Sequence, residues 1–192
     1  MDYPRELAVA KDIALRAGGV MLEHYEAERG LEMKADGSPV TIADRQINHI
    51  VIDELAKHFA DDGVIGEEES TAEYGSGRRW ICDPIDGTRA FIAGLPLSKF
   101  ALGFVVDGVP VVGVVYDPFM KELYEGAVGQ GSFRNGKRLR VSQQKMPNGH
   151  VAITSKLERL LRSPEYVQKI IARSGYPITF TCGCKPILVA SG

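Results

Sequence analysis

The chain has 192 residues, 44% of them hydrophobic and 25% charged, with 23 Lys and Arg against 25 Asp and Glu, a net charge of −2 and a pI of 6.1. That balance leaves no global positive field to hold nucleic acid or a membrane surface, so an anionic ligand has to be held by a local device such as a bound cation or a helix N-terminus. The length suffices for one substantial core, or for a domain and part of another.

The first nineteen residues, MDYPRELAVAKDIALRAGG, carry charges throughout and have neither the basic start nor the apolar run of a signal peptide. No apolar stretch reaches the roughly 18 residues needed to cross a bilayer. Three cysteines, Cys82, Cys182 and Cys184, are an odd number without regular spacing and do not form a disulfide framework. Cys182 and Cys184 make C-x-C rather than the C-x-x-C of a redox or zinc site, and Cys82 sits in an apolar stretch as a small core residue. Free thiols predict a reducing, cytoplasmic location.

Leu7, Ala10, Ala14, Ala17 and Met21 recur at helical spacing, and Pro4 suits a first turn, so residues 5–27 are expected as a helix closed by Gly30. Asp36-Gly37-Ser38-Pro39 marks a hairpin or loop. Thr41 then caps a second helix, in which Ile47, Val51, Leu55 and Phe59 repeat every four residues and Asp44 lies in the first turn. Val64-Ile65 is a short strand ending in Gly66 and Glu67-Glu68-Glu69. Arg79-Trp80-Ile81-Cys82 is another, ending in Asp83-Pro84-Ile85-Asp86-Gly87-Thr88, where a helix is expected to start at Thr88. Residues 100–106 and 109–116 form a hairpin about Asp107-Gly108, followed by a third strand over 121–127. Asn135-Gly136 is a further tight turn. The polar run 142–149 is the expected domain boundary. Beyond it come a strand over 151–154, a helix over 164–173, a strand over 176–181 and an apolar segment over 185–190, where Gly192 ends the chain. An apolar segment without a cap or polar tail predicts that the domain is truncated there.

Carboxylates recur at special places: Asp44 opens a helix, Glu67 follows a strand, and Asp83 and Asp86 flank a Pro-Ile turn after another strand. Carboxylates at strand ends converge on one edge of a sheet, and their mutual repulsion is costly unless a cation compensates it. Oxygen-only ligands favour hard cations, Mg²⁺ above all when phosphate supplies further oxygens. Pro84 stiffens the turn, the Ile85 carbonyl is available as a neutral ligand, Gly87 permits close approach of the backbone, and the helix start at Thr88 offers free N–H groups to a phosphate. Taken singly, Asp44 reads as a helix-terminal acid, Glu67 as part of a solvated acidic run, and the D-P and D-G pairs as polar turns. The whole hexapeptide, preceded by Gly66-Glu67-Glu68, points to function.

At this point the chain resembles the inositol monophosphatase family. The matching segments are Asp36-Gly37-Ser38-Pro39-Val40-Thr41-Ile42-Ala43-Asp44, Ile65-Gly66-Glu67-Glu68-Glu69, and Trp80-Ile81-Cys82-Asp83-Pro84-Ile85-Asp86-Gly87-Thr88. Gly113-Val114-Val115-Tyr116-Asp117-Pro118 and Gly131-Ser132-Phe133-Arg134-Asn135-Gly136 also match, so the resemblance covers nearly the whole chain. It implies an α/β layered sandwich of the inositol monophosphatase and fructose-bisphosphatase kind. An α+β metal- and phosphate-binding domain would span residues 1–145, and the start of an incomplete α/β domain residues 146–192. It implies Mg²⁺ held by Glu67, Asp83, the Ile85 carbonyl and Asp86, phosphate bound at Asp86, Gly87 and Thr88, and Asp44 and Thr88 positioning and deprotonating a water with help from Glu67. Lys34, grouped with the substrate-binding residues, would neutralise charge near a further metal. The implied reaction is in-line attack of metal-activated water on a phosphomonoester, inhibited by Li⁺. Homodimers are common in the family.

One departure matters. The family carries a later Trp-Asp motif whose Asp completes the second metal site, whereas Trp80 is the only Trp here and belongs to the earlier motif. The expectation is weak second-metal affinity, exposed apolar surface, and an interior Pro at Lys185-Pro186 that costs a helix about 3 kcal/mol. Arg89-Ala90-Phe91 after Thr88 looks closer to histidinol-phosphate or adenosine 3′,5′-bisphosphate phosphatases than to inositol-type enzymes. The competing expectation is a non-catalytic remnant that binds Mg²⁺ and phosphate.

Overall fold

The structure is a computed structural model that describes residues 2–26, 31–33, 39–71, 76–141, 151–154 and 176–179, with positions 165, 168, 169, 172 and 187. Helix α1 (Pro4–Glu26) starts at the proline, whose missing N–H costs nothing in a first turn. Its stripe of Ala10, Ile13, Ala14, Ala17 and Met21 is fully buried. Strands β1 (Leu31–Met33) and β2 (Pro39–Thr41) pair antiparallel as a two-stranded sheet. Thr41 then caps α2 (Ile42–His58): the Asp44 amide donates to the Thr41 hydroxyl while the Asp44 carboxylate accepts from the Thr41 amide, a reciprocal capping box. Ala43, Ile47, Val51 and Leu55 form its buried face.

Seven strands make the main sheet, in chain order: β3 (Gly63–Gly66), β4 (Arg78–Asp86), β5 (Lys99–Val106), β6 (Val109–Asp117), β7 (Glu122–Ala127), β8 (Gly131–Arg134) and β9 (Lys137–Arg138). Only β3 and β4 run parallel. The tight turns expected at Asp107-Gly108 and Asn135-Gly136 have positive φ at both residues (49° and 80°, 48° and 74°), which matches the twist of antiparallel strands. A short helix α3 (Thr88–Ile92) follows β4. Strands β10 (Val151–Thr154) and β11 (Tyr176–Thr179) pair parallel as a separate small sheet, and the described positions 165, 168, 169, 172 and 187 are helical. Together these layers form an α/β sandwich. No helix among the described residues is long and apolar enough to cross a membrane.

One face of the main sheet packs on α1 and α2. Trp80, Phe100, Leu102, Phe104 and Val114 lie there, with Trp80 stacked on Phe104 at 4.5 Å between ring centroids. The indole N–H donates to Asp62 at 3.0 Å, and Arg78 joins the same carboxylate at 2.6 Å and Glu6 at 3.1 Å, so this polar seam in the core is satisfied by charge-assisted bonds. The opposite face is lined by Ile81, Ala101, Gly103, Gly113 and Val115 and bounds a hollow of about 860 Å³, reached also by Leu139 and Ile187.

Candidate active site

The motif Asp83-Pro84-Ile85-Asp86 is not the turn that its Pro and Gly suggest. It is the last stretch of β4, distorted by a bulge: Asp83 stands opposite Ala101 and Asp86 opposite Lys99, three steps on one strand against two on the other. A regular strand would send residues three apart to opposite faces. The extra residue returns Asp86 to the face of Asp83, while Pro84 and Ile85 are both buried. Pro is tolerated there because a bulge interrupts the ladder that would need its N–H.

Gly87 follows at φ 97°, a left-handed conformation that strains any side chain, and serves as N-cap of α3. The Thr88 hydroxyl donates to the Ile85 carbonyl at 3.0 Å, which engages that carbonyl with one of its two lone pairs. Ser98 lies fully buried on the approach to β5 and donates to the Gly87 carbonyl at 2.9 Å, fixing the glycine turn from the next strand. Beside it Lys99, 9% exposed, pairs with buried Asp117 at 2.7 Å, and Asp117 also accepts from the amides of Phe119 and Met120.

Glu67 leads the turn after β3, tied to β4 by its amide donating to the Cys82 carbonyl at 3.2 Å. Asp44 is 1% exposed, with one oxygen occupied by the Thr41 amide and hydroxyl. Its helix-capping role is therefore real, and it coexists with proximity to the other acids: burial pushes its pKa from 3.8 up to about 6, against the Thr41 hydrogen bonds and with added repulsion from Glu68 and Glu67. Asp83 is held far above the usual carboxylate range by burial first, then by Asp86, Glu67 and Asp44. Its Oδ1 is buried and accepts no hydrogen bond among the described residues. Burial, with Asp83 and Glu67 nearby, raises the Cys82 thiol and keeps it protonated.

Asp44, Glu67, Asp83 and Asp86 are thus brought within one electrostatic neighbourhood, with Ile85, Gly87 and Thr88 alongside. Lys34 lies outside the described residues, as do Cys182 and Cys184. Among the described residues, no three Asp, Glu, His or Cys side chains stand in a ligating arrangement. In chemistry the donors fit a hard divalent cation: all are oxygens, they repel one another, and the buried Asp83 Oδ1 lacks a donor. Sequence inspection missed Asn48, Ser98, Lys99 and Asp117. A lone lysine opening an otherwise apolar strand was the available signal for Lys99, and Asn48 stands one helical turn after Asp44.

Fold and site together define an α/β sandwich with an acidic centre at a bulged strand end. The chain belongs to the inositol monophosphatase family, whose model matches residues 3–192. It is 37% identical over 161 residues to a histidinol-phosphatase of Chlorobaculum parvum, an alignment covering 83% of this chain and 62% of that protein. It is 36% identical over 142 residues to a fructose-1,6-bisphosphatase/inositol-1-monophosphatase of Aquifex aeolicus, covering 73% and 54%. The crystal structure of the extragenic suppressor protein suhB from Bartonella henselae superposes with a TM-score of 0.90 at 27% identity, covering 98% of this chain and 75% of that one. The chain therefore spans 62% or less of the length of these two curated relatives.

Proposed function

We propose that the protein is a Mg²⁺-dependent phosphomonoesterase acting on a small phosphorylated metabolite. The observation that carries this reading is the bulge in β4, which puts Asp83 and Asp86 on one face with Asp83 Oδ1 buried and, among the described residues, without a donor. Glu67, Asp83, Asp86 and the Ile85 carbonyl would hold Mg²⁺, which supplies Lewis-acid stabilisation of charge on the transferring phosphoryl group. Asp44, whose pKa near 6 sits close to working pH, accepts a proton from the attacking water. Thr88 orients that water through its hydroxyl, and Gly87 lets phosphate approach the backbone. Lys34 contributes positive charge to the same substrate. Li⁺ inhibition, a cytoplasmic location and a homodimer belong to the same reading and rest on the family resemblance and the free thiols.

Histidinol phosphate is the favoured substrate among the candidates, on Arg89-Ala90-Phe91 and on the named activity of the Chlorobaculum relative. The test is phosphate release by the 192-residue chain, with and without Mg²⁺, from histidinol phosphate, inositol 1-phosphate and adenosine 3′,5′-bisphosphate. Mg²⁺-dependent turnover of one of them is expected. A folded chain that binds Mg²⁺ and turns over none would instead be the non-catalytic remnant.

A further inference from the structure

Helix α2 carries two buried polar side chains one turn apart. Asp44 belongs to the acidic centre, whereas Asn48, 1% exposed, has no part in the proposed reaction. Its Nδ2 donates to the Glu69 carbonyl at 3.2 Å. Its Oδ1 accepts no hydrogen bond among the described residues. That oxygen lies instead against Gly66: a Cβ built there would stand 2.1 Å from Asn48 Oδ1 and 2.3 Å from the Glu69 carbonyl oxygen. Glycine is required because its Cα is wedged between the amide and the carbonyl, where a Cα–H can face an oxygen but a side chain cannot fit.

The segment so gripped is the turn that bears Glu67. Ser70 Oγ bonds both the amide and the carbonyl of Gly66, at 3.3 and 3.4 Å, and the Thr71 amide donates to Val64 at 2.9 Å, so the turn closes on itself. From the β4 side it is held by the Glu67 amide on Cys82. From the α2 side it is held by Asn48, with His49 3.1 Å from the Glu69 carboxylate at the surface. Glu67 stands between those anchors. An apolar residue at position 48 would fill the space but leave the Glu69 carbonyl without its donor and the turn without its grip on α2.

We infer that Asn48 is a positioning residue: by fixing the 66–69 turn against α2 it sets the placement of Glu67 relative to Asp44 and Asp83, and thereby the affinity for a divalent cation. The inference rests on the assignment of Glu67 as a ligand in the proposed function. Outer groups that orient ligands commonly change metal affinity by about 10- to 100-fold when lost.

The test is Mg²⁺ binding by calorimetry on the 192-residue chain, at fixed pH and well below the thermal midpoint, with the midpoint itself recorded for each variant. Asn48→Leu keeps the γ-branched outline and removes the donor; Gly66→Ala, should the first not fold, displaces the amide from the other side. Either is expected to raise the Kd for Mg²⁺ about tenfold. Ile13→Ala, which opens a cavity under α1, outside the strands and helix that hold this turn, is expected to lower the midpoint and leave the Kd alone. A wild-type Kd in Asn48→Leu, or an equal rise in Ile13→Ala, overturns the positioning role. Should Glu67→Gln weaken binding while Asn48→Leu does not, only this inference falls. Should the wild-type chain take no Mg²⁺, the ligand assignment falls and the inference with it.

Discussion

The two faces of β4 make the most instructive comparison in the molecule. Towards α1 and α2, Trp80 is fully buried, Cys82 is 3% exposed and Ile85 fully buried. Towards the other side, Ile81 is 47% exposed, and Asp83 and Asp86 are partly exposed. One face is built for packing, with the Trp80 indole and the Arg78 guanidinium both bonded to Asp62. The other tolerates like charges at close quarters and an acceptor without a donor, which is how a site stores free energy that a ligand releases. The switch between them is a single extra residue at the Pro84-Ile85 bulge.

The largest effect should come from the packed face. Trp80→Ala removes the indole stacked on Phe104 and leaves the Asp62 carboxylate short of a donor, and is expected to cost about 4 kcal/mol in chemical denaturation. A loss below about 1 kcal/mol would mean that the core closes over the gap.

Next comes pH on the chemical face. Asp44 binds its proton more tightly folded than unfolded, so its contribution to stability is complete below about pH 4 and is lost as pH rises through about 6, on the order of 3 kcal/mol in all. Asp83, raised further, extends the loss to higher pH. Unfolding free energy of the wild type relative to Asp44→Asn, followed in EDTA, should therefore fall across that window, and saturating Mg²⁺ should flatten the fall because the cation favours the ionised forms. A difference that rises with pH would show that the acids are already compensated.

Asp83→Asn splits stability from chemistry. It removes the most strongly raised carboxyl, so the cation-free protein should gain about 1 kcal/mol at pH 8 while Mg²⁺ affinity and turnover drop by about 100-fold or more. Full retention of activity would sink the assignment of Asp83.

The smallest effect belongs to Ile81, the immediate neighbour of Trp80 on the opposite face. In this chain Ile81→Ala is expected to change stability by less than about 0.5 kcal/mol, measured beside Trp80→Ala in the same denaturation series. A cost of 2 kcal/mol or more would place Ile81 in a covered core.

Local sequence determined the helices and hairpins of this protein. The spacing of Ala10, Ala14, Ala17 and Met21, the Thr41 cap and the paired left-handed turns at Asp107-Gly108 and Asn135-Gly136 act through neighbours a few residues apart, so pattern alone sufficed for them. The acids of the site were legible too, as residue types at element ends. What only the tertiary structure decided is their common face. Asp83-Pro84-Ile85-Asp86 has the composition of a turn, yet pairing with β5 keeps it in the sheet, and the register against Lys99 and Ala101 creates the bulge. The Ser98 bond to Gly87, the Lys99–Asp117 pair and the hold of Asn48 on Glu69 join residues 11, 18 and 21 positions apart. Such contacts leave no periodic trace along the chain, because they depend on which strands and helices become neighbours once the core has formed.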